Sequence, residues 1–410
     1  KMKVCGVICE YNPFHNGHAH QLSRAKKLTN ADFLVCAMSG AFVQRGEPAC
    51  LDKWTRAEMA VRNGVNLVVE MPTLFASGNA GYFAKGGVEI LENLGVSYIS
   101  FGSEAGNMTK LLRISREMQA HKQEINEAVR AAVKEGQAYP RARAAALRGI
   151  LGEDASETIN SPNNLLALEY LRFIENAQPV TVRRQGTGYY DLEPKGTMAS
   201  ATGIRKTLAE GGDISRLVPD MTREILLAHR AEIMSEEDLY LLLVQKILTT
   251  PAAELNEIFG AEEGLGNKMK ARVRYWKSYE EIVEGLKSKR YTRTRIGRLL
   301  AMTLLGARRS DVKNAQNYIR VLAFDETGSS YLKEVKKSER CKLPILTNIN
   351  REEKFSREIQ DTLAKDILAS DLYNFACGRD LYEYSDYVKK PFRREADTQQ
   401  KIAGKGWGKV

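Results

Sequence analysis

No stretch of this 410-residue chain approaches the roughly 20 consecutive apolar residues that a membrane-crossing helix needs. Its beginning, Lys3 to Cys9, reads at once as a strand and not as a charged leader with a cleavable apolar stretch, so a cytoplasmic protein with no membrane partner is expected. Cysteine is scarce and poorly spaced for chemistry. Cys5, Cys9, Cys36, Cys50, Cys341 and Cys377 form no C-x-x-C pair, which argues against structural zinc and against a disulfide framework. Three of them, Cys5, Cys9 and Cys36, lie in apolar strand-like runs, where cysteine behaves as a small core residue. There is no internal repeat, and 43% hydrophobic with 27% charged residues excludes a disordered chain. Apolar periodicity is missing only from Lys390 to Val410, which reads as a flexible basic tail.

What is present is an alternation. Strand-like runs at Val4–Cys9, Phe33–Met38, Leu67–Met71 and Tyr98–Phe101 are separated by helical patterns near His18–Leu28, Trp54–Asn63 and Tyr82–Leu94. That order predicts an α/β fold with a Rossmann-like parallel sheet. The strands end in polar or glycine-containing segments, Glu10–Pro13, Ser39–Gly40, Pro72–Thr73 and Gly102–Glu104, and ligands of open α/β sheets bind beyond the carboxyl ends of the strands. From Met108 to Asn176 the pattern is helical, broken at Pro140 and Pro162; a strand-like run follows at Val180–Arg184, and Ser200–Leu208 reads as a loop feeding a helix. Beyond Ser215 the chain turns mainly helical, with one strand-helix-strand candidate at Val321–Phe324, Ser330–Val335 and Pro344–Ile349. The expected division is 1–215, 216–389 and the tail 390–410.

The formal charge of +10 has an address: residues 268–320 hold 15 Lys or Arg against 4 Asp or Glu. Such a run is either a surface that meets phosphates or a solvated helix face. Within it Tyr291, Arg293, Arg295 and Arg298 alternate so that basic groups and one aromatic line a groove, or else snorkel from an amphipathic helix.

The chemistry concentrates where the first strand meets the first helix. Asn12-Pro13-Phe14-His15-Asn16-Gly17-His18 places two imidazoles on one side of a first helical turn, whose N–H groups and dipole attract an anion. Gly17 removes a side chain where a nucleotide approaches the backbone. Two alternatives stand beside this phosphate site: ordinary loop histidines, or a metal held by His15, His18 and His20, with Glu10 the one carboxylate nearby. A second segment, Ser200-Ala201-Thr202-Gly203-Ile204-Arg205, offers hydroxyls, another helix N-terminus and a guanidinium for departing pyrophosphate. Ser39-Gly40 and Gln44-Arg45-Gly46 follow the second strand as a lid, a carboxylate site or a plain surface loop.

The H-x-G-H element and the serine/threonine-rich turn ending in Ile-Arg resemble the two signatures of the nucleotidylyltransferase superfamily, which includes the class I aminoacyl-tRNA synthetases. Glu10 to His18, Phe42-Val43-Gln44-Arg45-Gly46, Phe101-Gly102-Ser103-Glu104, Ser161-Pro162-Asn163-Asn164 and Tyr291-Thr292-Arg293-Thr294-Arg295 narrow the likeness to the bacterial tRNA(Met) cytidine acetate ligases, over nearly the full length. The resemblance implies a nucleotidylyltransferase catalytic domain in 1–215 and a basic, mainly helical tRNA-binding domain in 216–389. It implies activation of acetate by ATP, with Mg²⁺ accompanying the nucleotide, and acetylation of N4 of the wobble cytidine of elongator tRNA(Met). Carried onto this chain, the catalytic residues are His15, His18, Thr202 and Arg205. The ATP-binding residues are Ile8, Cys9, Glu10, Tyr11, Asn12, Pro13, Phe14, His15, Asn16, Gly17, His18, Ala19, His20 and Gln21, with Gly102, Asn163 and Arg184; Asn164 and Arg183 are adjacent alternatives to the last two. Rival readings are a transferase that forms a dinucleotide cofactor and a non-catalytic RNA-binding protein. Oligomeric state has no signature in the sequence.

Overall fold

Strands β1 (Val4–Cys9), β2 (Phe33–Ser39) and β3 (Leu67–Met71) are apolar along almost their whole length because helices cover both of their faces. All residues of β2 and β3 are buried in the computed structural model, which describes residues 2–137, 139–184, 197–350 and 352–395. With β4 (Tyr98–Ser103), β5 (Gln178–Arg183), β6 (Ile319–Phe324), β7 (Ile345–Leu346) and β8 (Phe392–Arg393) they form one sheet, ordered β5-β4-β1-β2-β3-β6-β7, with β8 beside β6. Every pairing is parallel except β3 with β6. Successive side chains alternate between faces. Phe33, Val35 and Ala37 enter one core with Val69, Phe83 and Leu91, whereas Leu34, Cys36 and Met38 enter another with Leu22, Ala57 and Ile204.

Helices α1 (Asn16–Thr29) and α2 (Lys53–Arg62) connect β1 to β2 and β2 to β3; α3 (Thr73–Ala76) and α4 (Ala80–Leu94) lead to β4. Asp52 caps α2 by accepting from the N–H groups of Trp54 and Thr55, and Asn79 caps α4 through Gly81 and Tyr82. The segment before β5 folds as α5 (Met108–Ala120), α6 (Lys122–Lys134), α7 (Tyr139–Leu151), α8 (Glu153–Asn160) and α9 (Pro162–Phe173); α10 (Ala201–Ala209) follows it. Pro162 starts α9, as its fixed φ and missing N–H favour, whereas Pro140 lies within the first turn of α7 and ends nothing.

The chain beyond Ser215 is mainly helical, and its strands join the sheet of the first part: β6 adds antiparallel to β3 with Leu67 opposite Phe324, and β7 follows on. The helical part also shares a core with the first half, through Ala41, Phe42 and Leu74 packed with Leu299, Ala369 and Tyr373. Phe392 and Arg393, assigned to the tail, form β8 against Ala323 and Phe324, since Phe392 supplies an apolar contact that a short edge strand can bury. Residues 396–410 lie outside the described residues.

Candidate active site

The order β5-β4-β1-β2 puts a switch point between β4 and β1, because the chain leaves β1 toward β2 and later returns to β4 on the other side. A cleft opens there. Its floor is the turn after β1, where Tyr11 has φ +46, a left-handed backbone that bulky residues rarely adopt. Packing holds it: the Tyr11 hydroxyl lies 3.3 Å from Cys36 Sγ, and its ring meets Phe14 and His18 edge-on at 4.8 and 4.9 Å. A strained, over-determined turn is a common place for a functional group to be presented.

The two histidines form a reciprocal cap on α1. Gly17 N–H donates to His15 Nδ1 (3.1 Å), and His15 N–H donates to His18 Nδ1 (3.2 Å). Each Nδ1 is therefore an acceptor, so in the neutral rings the proton sits on Nε2, which remains available to donate. The rings stack with centroids 3.7 Å apart. Burial, then nearby Arg184, pulls His15 down to about 3; burial, then His15 and Arg184, holds His18 well below the usual imidazole range. Both are neutral donors at pH 7. A group with a lowered pKa gains its proton only as pH falls toward that value, so nothing is lost between pH 6 and pH 8. ATP affinity, read from the rise of melting temperature with nucleotide, is expected to be no weaker at pH 8 than at pH 6. A loss of about tenfold over that interval would assign binding to imidazolium instead.

A Cβ on Gly17 would sit 2.9 Å from His15 Cε1 and 3.0 Å from Nδ1. Gly17→Ala is expected to displace the His15 ring and lower kcat/KM by roughly 10²-fold, the cost of an ångström-scale misplacement. Steady-state kinetics at varied ATP check it, and unchanged kcat/KM would remove the need for this close fit.

Opposite α1, Ser200 caps α10 by accepting from Gly203 N–H (3.0 Å), and Thr202 and Arg205 line the cleft. Arg205 donates to the Asn12 carbonyl (2.9 Å) and to Glu47 Oε2 (3.0 Å), so it spans the mouth from one loop to another. On the third side Glu104 accepts from the N–H groups of Asn163 and Asn164 and from the Asn163 amide (2.7 Å), capping α9 from another element. Asn163 Oδ1 in turn accepts from Arg184 Nη1 (3.4 Å). Asn164 instead turns inward to Ala105 N–H and the Thr158 carbonyl. Arg184, packed over Gly102, faces the main cleft, whereas Arg183 reaches only a smaller side cavity. Asn163 and Arg184 are thus the members of each adjacent pair that the fold turns toward the main cleft.

The cleft, about 180 Å³, brings together Ile8, Cys9, Glu10, Tyr11, Asn12, His15, His18, Gln21, Gly102, Asn163, Arg184, Thr202 and Arg205 from the sequence-derived set. Gly17 and His20 line the side cavity beyond the histidines. Pro13, Phe14, Asn16 and Ala19 line neither. Phe14 is core, and Asn16 uses its amide to hold the Thr197 and Arg216 carbonyls, fixing α1 to the segments around α10.

Sequence reasoning missed two residues. Arg56, fully buried on α2, donates to the carbonyls of Leu51, Glu10, Ser39 and Gly40, tying together the chain leaving β1 and β2. Glu47, the carboxylate on Arg205, stands one residue past the quoted Phe42–Gly46 motif, and only the fold shows its partner. The segment itself is a closed turn, with Val43 N–H on the Glu47 carbonyl (3.0 Å) and Gly46, at φ +79, against the Gly297 backbone. Among the described residues no cluster of three or more His, Cys, Asp or Glu side chains is arranged to hold a metal ion.

A switch-point cleft with an H-x-G-H helix cap on one side and a Ser-Ala-Thr-Gly-Ile-Arg helix start on the other defines a nucleotidyl transferase, and residues 2–385 match the family model described as HIGH Nucleotidyl Transferase. Among curated relatives, the tRNA(Met) cytidine acetate ligase of Thermoanaerobacter sp. strain X514 is 38% identical over 390 residues, 92% of this chain and 96% of that protein. The Bacillus subtilis strain 168 protein of the same name is 34% identical over 97% of this chain and 99% of its own. Thermotoga maritima TmcAL superposes with a TM-score of 0.89 in its apo crystal structure and 0.86 in the structure bound with alpha-thio ATP, each at 30% identity over 96% of this chain and 100% of that one. The chain belongs to the tRNA(Met) cytidine acetate ligase family.

Proposed function

We propose that this protein is an ATP-dependent ligase that activates acetate as acetyl-adenylate and acetylates N4 of the wobble cytidine of elongator tRNA(Met), releasing pyrophosphate and AMP. The observation that carries this reading is the pair of neutral imidazoles whose Nδ1 atoms are locked to the backbone, leaving two Nε2–H donors at a helix N-terminus facing Thr202 and Arg205. A carboxylate oxygen of acetate bonds to the α-phosphorus as the bond to the β-phosphate bridging oxygen breaks. His15 and His18 donate to the charge gathering on the α-phosphate, while Thr202 and Arg205 hold the departing pyrophosphate. The cytidine N4 then bonds to the acetyl carbon, the acyl–phosphate bond breaks, AMP leaves and N4 loses a proton. Asn163 and Arg184 hold the nucleotide beside Gly102. Arg205 exchanges Glu47 for phosphate oxygens when ATP enters.

Mg²⁺ arrives with ATP as part of the substrate, held by phosphate oxygens and water, as this ion prefers. Glu10 and Glu47 are the carboxylates of the cleft. No helix among the described residues is long and apolar enough to cross a membrane. A tRNA substrate is what puts the enzyme in the cytoplasm. The test is exchange of labelled pyrophosphate into ATP with acetate and with longer acids, then transfer of labelled acetyl to tRNA. Acetate-dependent exchange followed by tRNA labelling supports the ligase; no exchange with any carboxylate sinks it in favour of a cofactor-forming transferase.

A further inference from the structure

A second cavity of 710 Å³ adjoins the ATP cleft and shares Gln44, Arg45, Asn163 and Leu166 with it. One wall is α9; the other is the helix Arg293–Leu305, locked to the cleft turn by the Gly46–Gly297 backbone contact. Its lining has six arginines and two glutamates. Half of these cations are matched to an acid: Arg295 pairs with Glu262, Arg290 with Glu263 and Arg172 with Glu169. Arg298 is different. It has no hydrogen-bond or carboxylate partner among the described residues, and burial, then Arg295 and Arg45, lowers its pKa to about 10. A half-buried guanidinium beside like charges and with no acid partner is a poor ground state that an anion would relieve. Half-buried Phe259 lines the same cavity, set edge-on to Tyr82 at 5.5 Å.

We infer that this cavity is the vestibule through which the acceptor RNA nucleotide reaches the acetyl-adenylate, with Arg298 binding a backbone phosphate beside that nucleotide and Phe259 stacking on an unstacked base. The inference rests on the ligase reading, because an acceptor for the acyl group must occupy space continuous with the ATP cleft. RNA fits better than an acidic peptide: the cavity pairs a phosphate-seeking cation with an aromatic face, the combination used on splayed nucleotides.

The test measures acetyl transfer to tRNA and the salt dependence of tRNA binding. Arg298→Gln is expected to raise the KM for tRNA at least about tenfold and to flatten the slope of log affinity against log salt by about 0.7–0.9, one phosphate contact. Arg298→Lys should recover the slope. Should the glutamine variant fail to fold, Phe259→Leu decides: a KM raised roughly tenfold with the slope unchanged supports stacking. KM values within twofold of the unsubstituted protein for the variants that fold would overturn the vestibule, as would competition by polyglutamate but not by an anticodon stem-loop. Absence of acetate-dependent exchange in the unsubstituted protein instead removes the ligase reading itself, so the two failures are distinguishable.

Discussion

His18→Ala is expected to slow acetate-dependent pyrophosphate exchange by about 10²- to 10³-fold, the equivalent of losing one preorganised donor worth about 2.7–4 kcal/mol at the transition state. The size follows from the site: the His18 imidazole is half-buried, neutral and locked by the His15 N–H, so its Nε2–H needs no reorganisation when charge develops on the α-phosphate. Because the interaction matures in the transition state, kcat and kcat/KM should fall together while ATP binding changes little. The same substitution removes half of the α1 cap, which costs only about 0.5–2 kcal/mol of stability. A melting-temperature scan separates the two effects. His18→Asn, which keeps both an acceptor for His15 N–H and an amide donor, should recover part of the rate. Exchange by the alanine variant within about threefold of the unsubstituted protein would take His18 out of the chemistry.

The parts of this site that were legible in the sequence are those built from local chain. The first strand, its turn, His15, Gly17 and His18 are consecutive, and the strand and helix periods around them are strong, so β1, β2 and β3 fall where the apolar runs place them. Ser200 to Arg205 was legible because a helix cap is also local. What was not legible depends on long-range pairing. Arg56 looks like any helical arginine until the fold brings four carbonyls to it. Nothing between residues 319 and 324 signals an antiparallel partner at β3, because a buried edge-side strand and a buried central one have the same apolar pattern.

The charge count misleads for the same reason. Residues 268–320 carry a large excess of Lys and Arg, yet Arg290, Arg293, Arg295, Arg308 and Arg309 lie beside Glu263, Glu236 and Glu280, Glu262, Glu254 and Glu257. Most of those acids precede the run in sequence and meet it only after folding. Lys270 is turned onto backbone carbonyls of Ile247, Leu248 and Thr250. The basic stretch is therefore in good part matched within the fold, although these pairs are exposed and contribute little to stability.

The largest expected loss of stability comes from a residue remote from the cleft. Asp386 accepts from Lys53 (2.7 Å), Arg320 (2.8 Å), Ser370 (3.1 Å) and Trp54 Nε1 (3.2 Å), and its backbone carbonyl takes a further Arg320 bond. Glu70 on β3 shares Lys53 at 2.8 Å and lies 3.8 Å from Arg320, and none of the four ionic side chains is more than 3% exposed. Asp386→Ala leaves two buried cations with one carboxylate, and breaking such a network costs about 3–5 kcal/mol. Burial alone would raise the Asp386 pKa, but Arg320 and Lys53 outweigh it and hold it below the ordinary carboxylate range. Its contribution is therefore present above that range and is lost as pH falls through the lowered value. Chemical denaturation at pH 7 should show the full loss in Asp386→Ala, and the gap from the unsubstituted protein should narrow in strong acid. Lys53→Met combined with Asp386→Leu removes one charge of each sign, and it should cost less than the two single substitutions added together. Additivity would mean that the four groups do not act as a unit. Lys53 and Arg56 stand one turn apart on α2, one in this network and the other on the carbonyls that shape the cleft. The Asp386→Ala protein should then keep near-normal exchange well below its unfolding transition and lose it together with the fold, whereas early loss of exchange would show that the network also sets the geometry of the cleft.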